Sequence, residues 1–184
     1  MKKRCEWAKD EPNTTYHDDE WGTPQHDDKI LFEFLILEGA QAGLSWTTIL
    51  NRREGYRKAF SNFDAKKVSK YTQKKVEKLL QDESIIRNKL KINSAINNAK
   101  LFLKIQDEFG TFDKYLWGFV NHKPIKNKFK KHSDLPATSD ISEKLSKDLK
   151  KRGFNFVGPT ICYALMQAIG MVNDHTSDCF LYKK

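Results

Sequence analysis

Turn-forming residues are scarce in this 184-residue chain, which has nine Gly and five Pro. A fold built from many short strands needs more such punctuation, so the sequence leans towards helices. Cysteine is scarce too. Three thiols cannot all pair with one another, which leaves them as free thiols or metal ligands rather than a disulfide framework. No stretch approaches the roughly 18 consecutive apolar residues of a membrane helix, and the mean hydropathy is −0.70. The basic opening Lys2-Lys3-Arg4 is followed by no apolar run, so the expectation is no signal peptide, no membrane span and a cytoplasmic location. What is present suffices for a core: 39% hydrophobic and 12% aromatic residues exclude wholesale disorder. The length fits one domain over residues 1–184.

The 33 Lys and Arg outnumber the 24 Asp and Glu, a net charge of +9. Such an excess suits a polyanionic partner, whose condensed counterions are released on contact. It also suits a merely solvated basic face. Much of the excess lies between Asn121 and Arg152, where ten basic residues face four acidic ones. The part of this stretch up to Asp140 holds Pro124 and Pro136, lacks periodicity, and reads as a long surface connection. Elsewhere the apolar residues recur at helical spacing. One helix is expected from Asp27–Asp28, with Gly39 and Gly43 punctuating its end, and another from Ser45 to Phe60. Short helices follow Asp64 and precede Leu80, a long one spans Ile85 to Glu108, and a further one covers Phe112–Val120. Residues 1–26 read as irregular but rich in large rings. The expected class is all-α.

Three constellations carry chemistry. In the first, Ile141, Leu145 and Leu149 mark an amphipathic helix ending at Gly153, and Gly158-Pro159 opens an apolar one at Thr160. Such a connection is either an ordinary helix–helix turn or a phosphate grip. Gly158 would admit a backbone, the helix start offers free N–H groups, and Lys150, Lys151 and Arg152 flank it. In the second, His175 and Cys179 stand four apart near one end, with Cys5 and His17 near the other. Two Cys and two His fit a closed tetrahedral zinc site stapling the termini, or they are capping residues at a chain end. In the third, Glu38 ends an apolar run just before Gly39, Gly43 and Trp46. Together with Tyr16, Trp21 and Trp7 it could hold a flat cation, or simply cap a helix over an aromatic core. Cys162 reads as a buried small hydrophobe.

Taken together, the segments Arg4–Trp7, Tyr16–Gly22, Leu37–Trp46, Phe119–Pro124 and Leu149–His175 resemble the bacterial 3-methyladenine DNA glycosylase I family, constitutive alkylation-repair enzymes of the helix–hairpin–helix glycosylase superfamily. The resemblance implies a two-lobed helical fold with its helix–hairpin–helix element at about residues 141–170. It implies a structural zinc on Cys5, His17, His175 and Cys179, joining residues 1–21 to 171–184. It also implies that Trp46 stacks on a flipped base, that Glu38 and Tyr16 make the polar contacts, and that Trp7 and Trp21 are walls. Gly43 and Leu44 would face the gap left in the duplex, and Lys151, Arg152, Gly153, Gly158 and Thr160 would hold DNA. The catalytic Asp usual in the superfamily aligns with Asn173, so none is assigned.

The implied reaction is flipping of 3-methyladenine from alkylated double-stranded DNA and hydrolysis of its N-glycosidic bond, leaving an abasic site, by a monomer. Glu38 either assists the attacking water or acts only in base recognition. The competing reading is a non-enzymatic, zinc-stapled DNA-binding module.

Overall fold

Helix formation starts from the capping residues. In a computed structural model, described here for residues 2–182, Asp27, Ser45, Asp64, Asn88, Thr111 and Ser139 each accept a backbone N–H at a helix start. Each satisfies a donor that the helix itself leaves unpaired. The helices are α1 (Asn13–Asp19), α2 (Asp28–Gln41), α3 (Trp46–Leu50), α4 (Arg53–Ala59), α5 (Ala65–Val68), α6 (Gln73–Leu79), α7 (Lys89–Phe109), α8 (Phe112–Gly118), α9 (Asp140–Lys151) and α10 (Pro159–Ala168). Single 3-10 turns occur at Ser61–Phe63 and His132–Asp134.

α2 is the axis of the molecule. Every residue from Leu31 to Ala40 is buried, and α3, α7, α8 and α10 all pack against it. A helix buried all round gains little from amphipathicity and much from area, at about 25 cal/mol per Å² of apolar surface removed from water. Asp28 looks outward from its first turn and accepts from the N–H groups of Phe112 and Asp113, both at 2.8 Å, so it caps α8. Glu33 is the buried charge on α2, and Arg53 answers it at 2.6 Å while also gripping Glu20 at 2.7 and 2.8 Å. This network ties the segment after α1 to α2 and α4.

Three expectations are corrected. The first 26 residues contain α1, which Pro12 precedes and which buries only Tyr16 and His17, too short a pattern to show in the sequence. The run from Ser45 to Phe60 is two helices, broken at Asn51–Arg52. α2 passes straight through Gly39 and bends only at Ala42–Gly43, where Gly43 has φ +77°. At Gly39 the missing side chain serves packing, because a Cβ there would lie 3.3 Å from that of Phe156. The mostly helical class holds, with one two-residue strand pair added to it. Ile125–Lys126 (β1) pairs in parallel with Val172–Asn173 (β2), so the basic connection is anchored beside the C-terminal segment.

Candidate active site

The C-terminal end of α2, the start of α3, α1 and α10 enclose a cavity of about 390 Å³ lined by Trp7, Tyr16, Trp21, Glu38, Gln41 and Trp46, among others. It brings the five residues of the carboxylate–aromatic constellation together. Glu38 projects from the last turn of α2 and is 3% exposed. Burial alone pushes its carboxyl up to about 8, with no cation or hydrogen bond pulling it back. Tyr16 is buried, and burial together with the nearby Glu38 holds its phenol well above the ordinary value, so it stays a neutral donor. Its ring lies 5.4 Å from that of Trp46, centre to centre, and 6.2 Å from that of Trp7. Trp7 and Trp21 meet edge to face at 5.1 Å. The site is therefore a slot with π faces on several sides and one proton-bearing carboxyl.

Several lining residues were not singled out in the sequence. Asn13 and Thr47 hold each other at 2.9 Å across the mouth, and Gln167, Ala164, His132 and Leu135 complete the wall. Gln167 shows helical spacing but no charge, and His132 and Leu135 sit in the unpatterned basic connection, so no local signal marked them. Next to the cavity, Asp174 is buried and accepts from Tyr163 at 2.6 Å, Gln167 at 2.8 Å and Asn127 at 2.7 Å. A carboxylate so fully engaged braces α10.

Behind Trp7 and Trp21 the chain ends meet. Cys5, His17 and Cys179 are buried with their ligating atoms within 4.8 Å of one another, a group that could hold a metal ion. His17 turns Nε2 inward because Nδ1 pairs with Asp18 at 2.8 Å, and Arg4 in turn clasps Asp18, holding that carboxyl at about 2. His175 is not part of the close set, although its ring centre lies 5.0 Å from that of His17. Burial and the neighbouring His17 push it down to about 4, so it is neutral. Its Nδ1 meets Asn173 Oδ1 at 2.9 Å, and its Nε2 is buried without a partner. An orphaned neutral imidazole beside two thiols and a second imidazole is a donor set suited to zinc.

The candidate DNA contacts form two patches. Gly43 and Leu44 are exposed at the turn after α2. Between α9 and α10, Lys151, Gly153 and Thr160 are exposed, and Gly158 caps α10 with open space where a side chain would stand. Arg152 departs from the expectation. Its guanidinium is held by Glu108 at 2.6 Å and Asp148 at 2.8 Å and lies over the rings of Phe109 and Tyr115, so a phosphate would have to displace two carboxylates.

The protein-family model for methyladenine glycosylase matches residues 7–182. The chain belongs to the methyladenine glycosylase family. The DNA-3-methyladenine glycosylase 1 of Escherichia coli (strain K12) is 48% identical over 181 residues, covering 98% of this chain and 97% of the relative. A crystal structure of 3-methyladenine DNA glycosylase I superposes with a TM-score of 0.95 at 44% identity, over 97% of this chain and 99% of the other. A further one, of a Y16F variant in complex with 3-methyladenine, has a TM-score of 0.94 at 37% identity and covers 98% and 97%. The likeness spans nearly the whole chain. Among the described residues, no helix of this glycosylase is long and apolar enough to cross a membrane.

Proposed function

We propose that this chain excises 3-methyladenine from alkylated double-stranded DNA, with Glu38, Tyr16 and Trp46 receiving the flipped base and Trp7 and Trp21 as walls. The observation that carries the reading is an uncompensated buried carboxyl, held at about 8, in an aromatic slot. An empty slot keeps Glu38 protonated near neutrality. A cationic base entering over Trp46 supplies the missing charge, so Glu38 releases its proton to solvent and the ion pair forms out of water. Neutral adenine brings no charge and meets only an acid, and that difference is the selectivity. Tyr16, still a phenol, donates a hydrogen bond to the base.

Methylation at N3 has already made the base a leaving group. The C1′–N9 bond breaks with its electron pair going to the base, which departs uncharged, and the sugar becomes oxocarbenium-like. Water adds at C1′ and passes its proton to the Glu38 carboxylate or to bulk water, leaving an abasic site. The cost of unstacking, a few kcal/mol, is met by contacts elsewhere on the duplex. These come from Lys151, Gly153, Gly158 and Thr160, with residues 141–170 as a helix–hairpin–helix element and Gly43–Leu44 facing the gap. The slot is complete within one chain, which supports a monomer working as a single domain.

A structural zinc on Cys5, His17, Cys179 and His175 completes the reading, supported by the close Cys–His–Cys group and the orphaned His175 Nε2. When bound, it supplies a rigid cross-link between chain ends. Asp18 orients His17 towards it, and the Thr176 hydroxyl, donating to Asp178 at 2.8 Å, stands 3.7 Å from Cys5 Sγ.

The test is release of free 3-methyladenine from methylated duplex DNA. The wild type should release it and Glu38→Gln should lose at least about a hundredfold, as expected when a buried charge partner is removed. If both proteins bind the duplex and neither releases base, the chain is a DNA-binding module and the reading is wrong.

A further inference from the structure

α2 ends without a basic residue in its last turn, so its own sequence leaves the terminal carbonyls unanswered. The answer comes from 49 and 51 residues further on. Lys91, in the first turn of α7, donates from Nζ to the carbonyl of Ala42 at 2.7 Å and to that of Ala40 at 2.8 Å. These carbonyls bracket Gln41, which lines the base cavity, and stand next to Gly43, where the chain turns out to Leu44. A lysine spent on two main-chain carbonyls forgoes water, and a cation at a helix C-terminus favours the helix dipole.

The same face of the same helix holds the other DNA-facing piece. Asn98, seven residues or two turns after Lys91, is buried. It donates to the carbonyl of Asn155 at 2.9 Å and accepts the Asn155 N–H at 3.0 Å, while Asn97 donates to the carbonyl of Gly153 at 2.9 Å. Seven residues of helix are about 10 Å. α7 therefore fixes the turn at 42–44 at one point and the hairpin at 153–155 at another, on a rigid rod.

We propose that Lys91 is a positioning residue for base excision: through the Ala40 and Ala42 carbonyls it sets the Gly43–Leu44 turn at a fixed spacing from the Gly153–Gly158 hairpin, so that the turn enters the duplex where the hairpin has placed it. This rests on the glycosylase reading above. Lys91 touches no base, and its effect falls on the duplex step and not on the slot.

The experiment compares wild type, Lys91→Met and Lys91→Arg in single-turnover excision from methylated duplex at saturating enzyme, in binding of free 3-methyladenine followed by tryptophan fluorescence, and in thermal melting. Lys91→Met should slow excision about 10- to 100-fold, the scale of a misplaced positioning element. Its affinity for the free base should stay within about twofold of wild type, and Lys91→Arg, which can still reach both carbonyls, should recover most of the rate. Should Lys91→Met not fold, Lys91→Gln, whose shorter and uncharged amide brings no cation to the helix end, takes its place with the same expectation. Wild-type excision by the Met or Gln variant overturns the proposal. So does a parallel loss of free-base binding and excision, which would make Lys91 ordinary support for the slot. Failure of the wild type itself to release base would instead overturn the glycosylase reading.

Discussion

On the proposed reading, Glu38 governs stability as well as selectivity. Its carboxyl titrates at about 8 in the fold against an ordinary value of 4.5. Between those two values the folded chain holds a proton that the unfolded chain has released, so stability is full below about pH 4.5 and is lost as the pH rises towards 8. At about 1.4 kcal/mol per unit the loss is on the order of 5 kcal/mol across the window. Glu38→Gln, neutral throughout, should escape it. Urea unfolding of both proteins at pH 5 and pH 8 should show the variant gaining on wild type by several kcal/mol at the higher pH, even as it loses excision. Parallel stabilities at the two pH values would mean that Glu38 is already ionised in the folded protein, and the account of selectivity would fail with it. The same residue shows what was legible from sequence. A carboxyl in the apolar run Leu35–Leu37 marked itself by chemistry that burial opposes, whereas Gln167 and Leu135, equally part of the wall, carry no such contradiction.

At the scale of elements, α9 and the hairpin after it separate two arginine-and-lysine roles that sequence alone merges. Lys151 is exposed, while Arg152 is engaged by Glu108 and Asp148. Lys151→Glu should weaken duplex binding regardless of sequence and lower the slope of log affinity against log salt by about one. Arg152→Ala should leave that slope nearly intact and lower the melting temperature instead, since it leaves Asp148 with Tyr115 as its hydrogen-bond partner and uncovers two rings. An unchanged slope in Lys151→Glu would remove this hairpin from the phosphate contacts. The legibility of elements follows the strength of their periodicity. α9 was plain, with Ile141, Leu145 and Leu149 in register behind the Ser139 cap. α1 was not, because a seven-residue helix burying two side chains has no period to read. The break between α3 and α4 has neither Gly nor Pro to announce it, and the two-residue pairing of β1 with β2 exists only because the folded chain brings residues 125 and 172 together.

Across the whole molecule, the chain ends and the base slot form one continuous array. Phe180 N–H bonds to the Lys3 carbonyl at 2.9 Å, Trp7 meets the His17 ring at 5.3 Å, and Trp21 lies 4.7 Å from the His175 ring. On the far side these two tryptophans face the cavity that Trp46 and Tyr16 close. Gly22 is part of the same fit: at φ +74°, a Cβ would approach His175 Cε1 to 2.8 Å. Without a metal the centre of this array is two thiols and two imidazoles. Burial pushes Cys5 up to about 11, so the thiol stays protonated and offers little in return for its burial. A metal ion bound there, as proposed, would replace those protons and turn a loose meeting of termini into a cross-link whose binding energy is folding energy. Metal analysis of the purified protein should therefore find about one zinc per chain, which Cys179→Ser should lose while Cys162→Ser, at a buried thiol remote from the cluster, should keep it. Chelation should lower the melting temperature and the excision rate together, because the walls of the slot rest on the ligands, and added zinc should restore both. If a chelated protein that has lost its zinc still melts and excises as before, the aromatic array holds itself together and the staple has no part in shaping the slot.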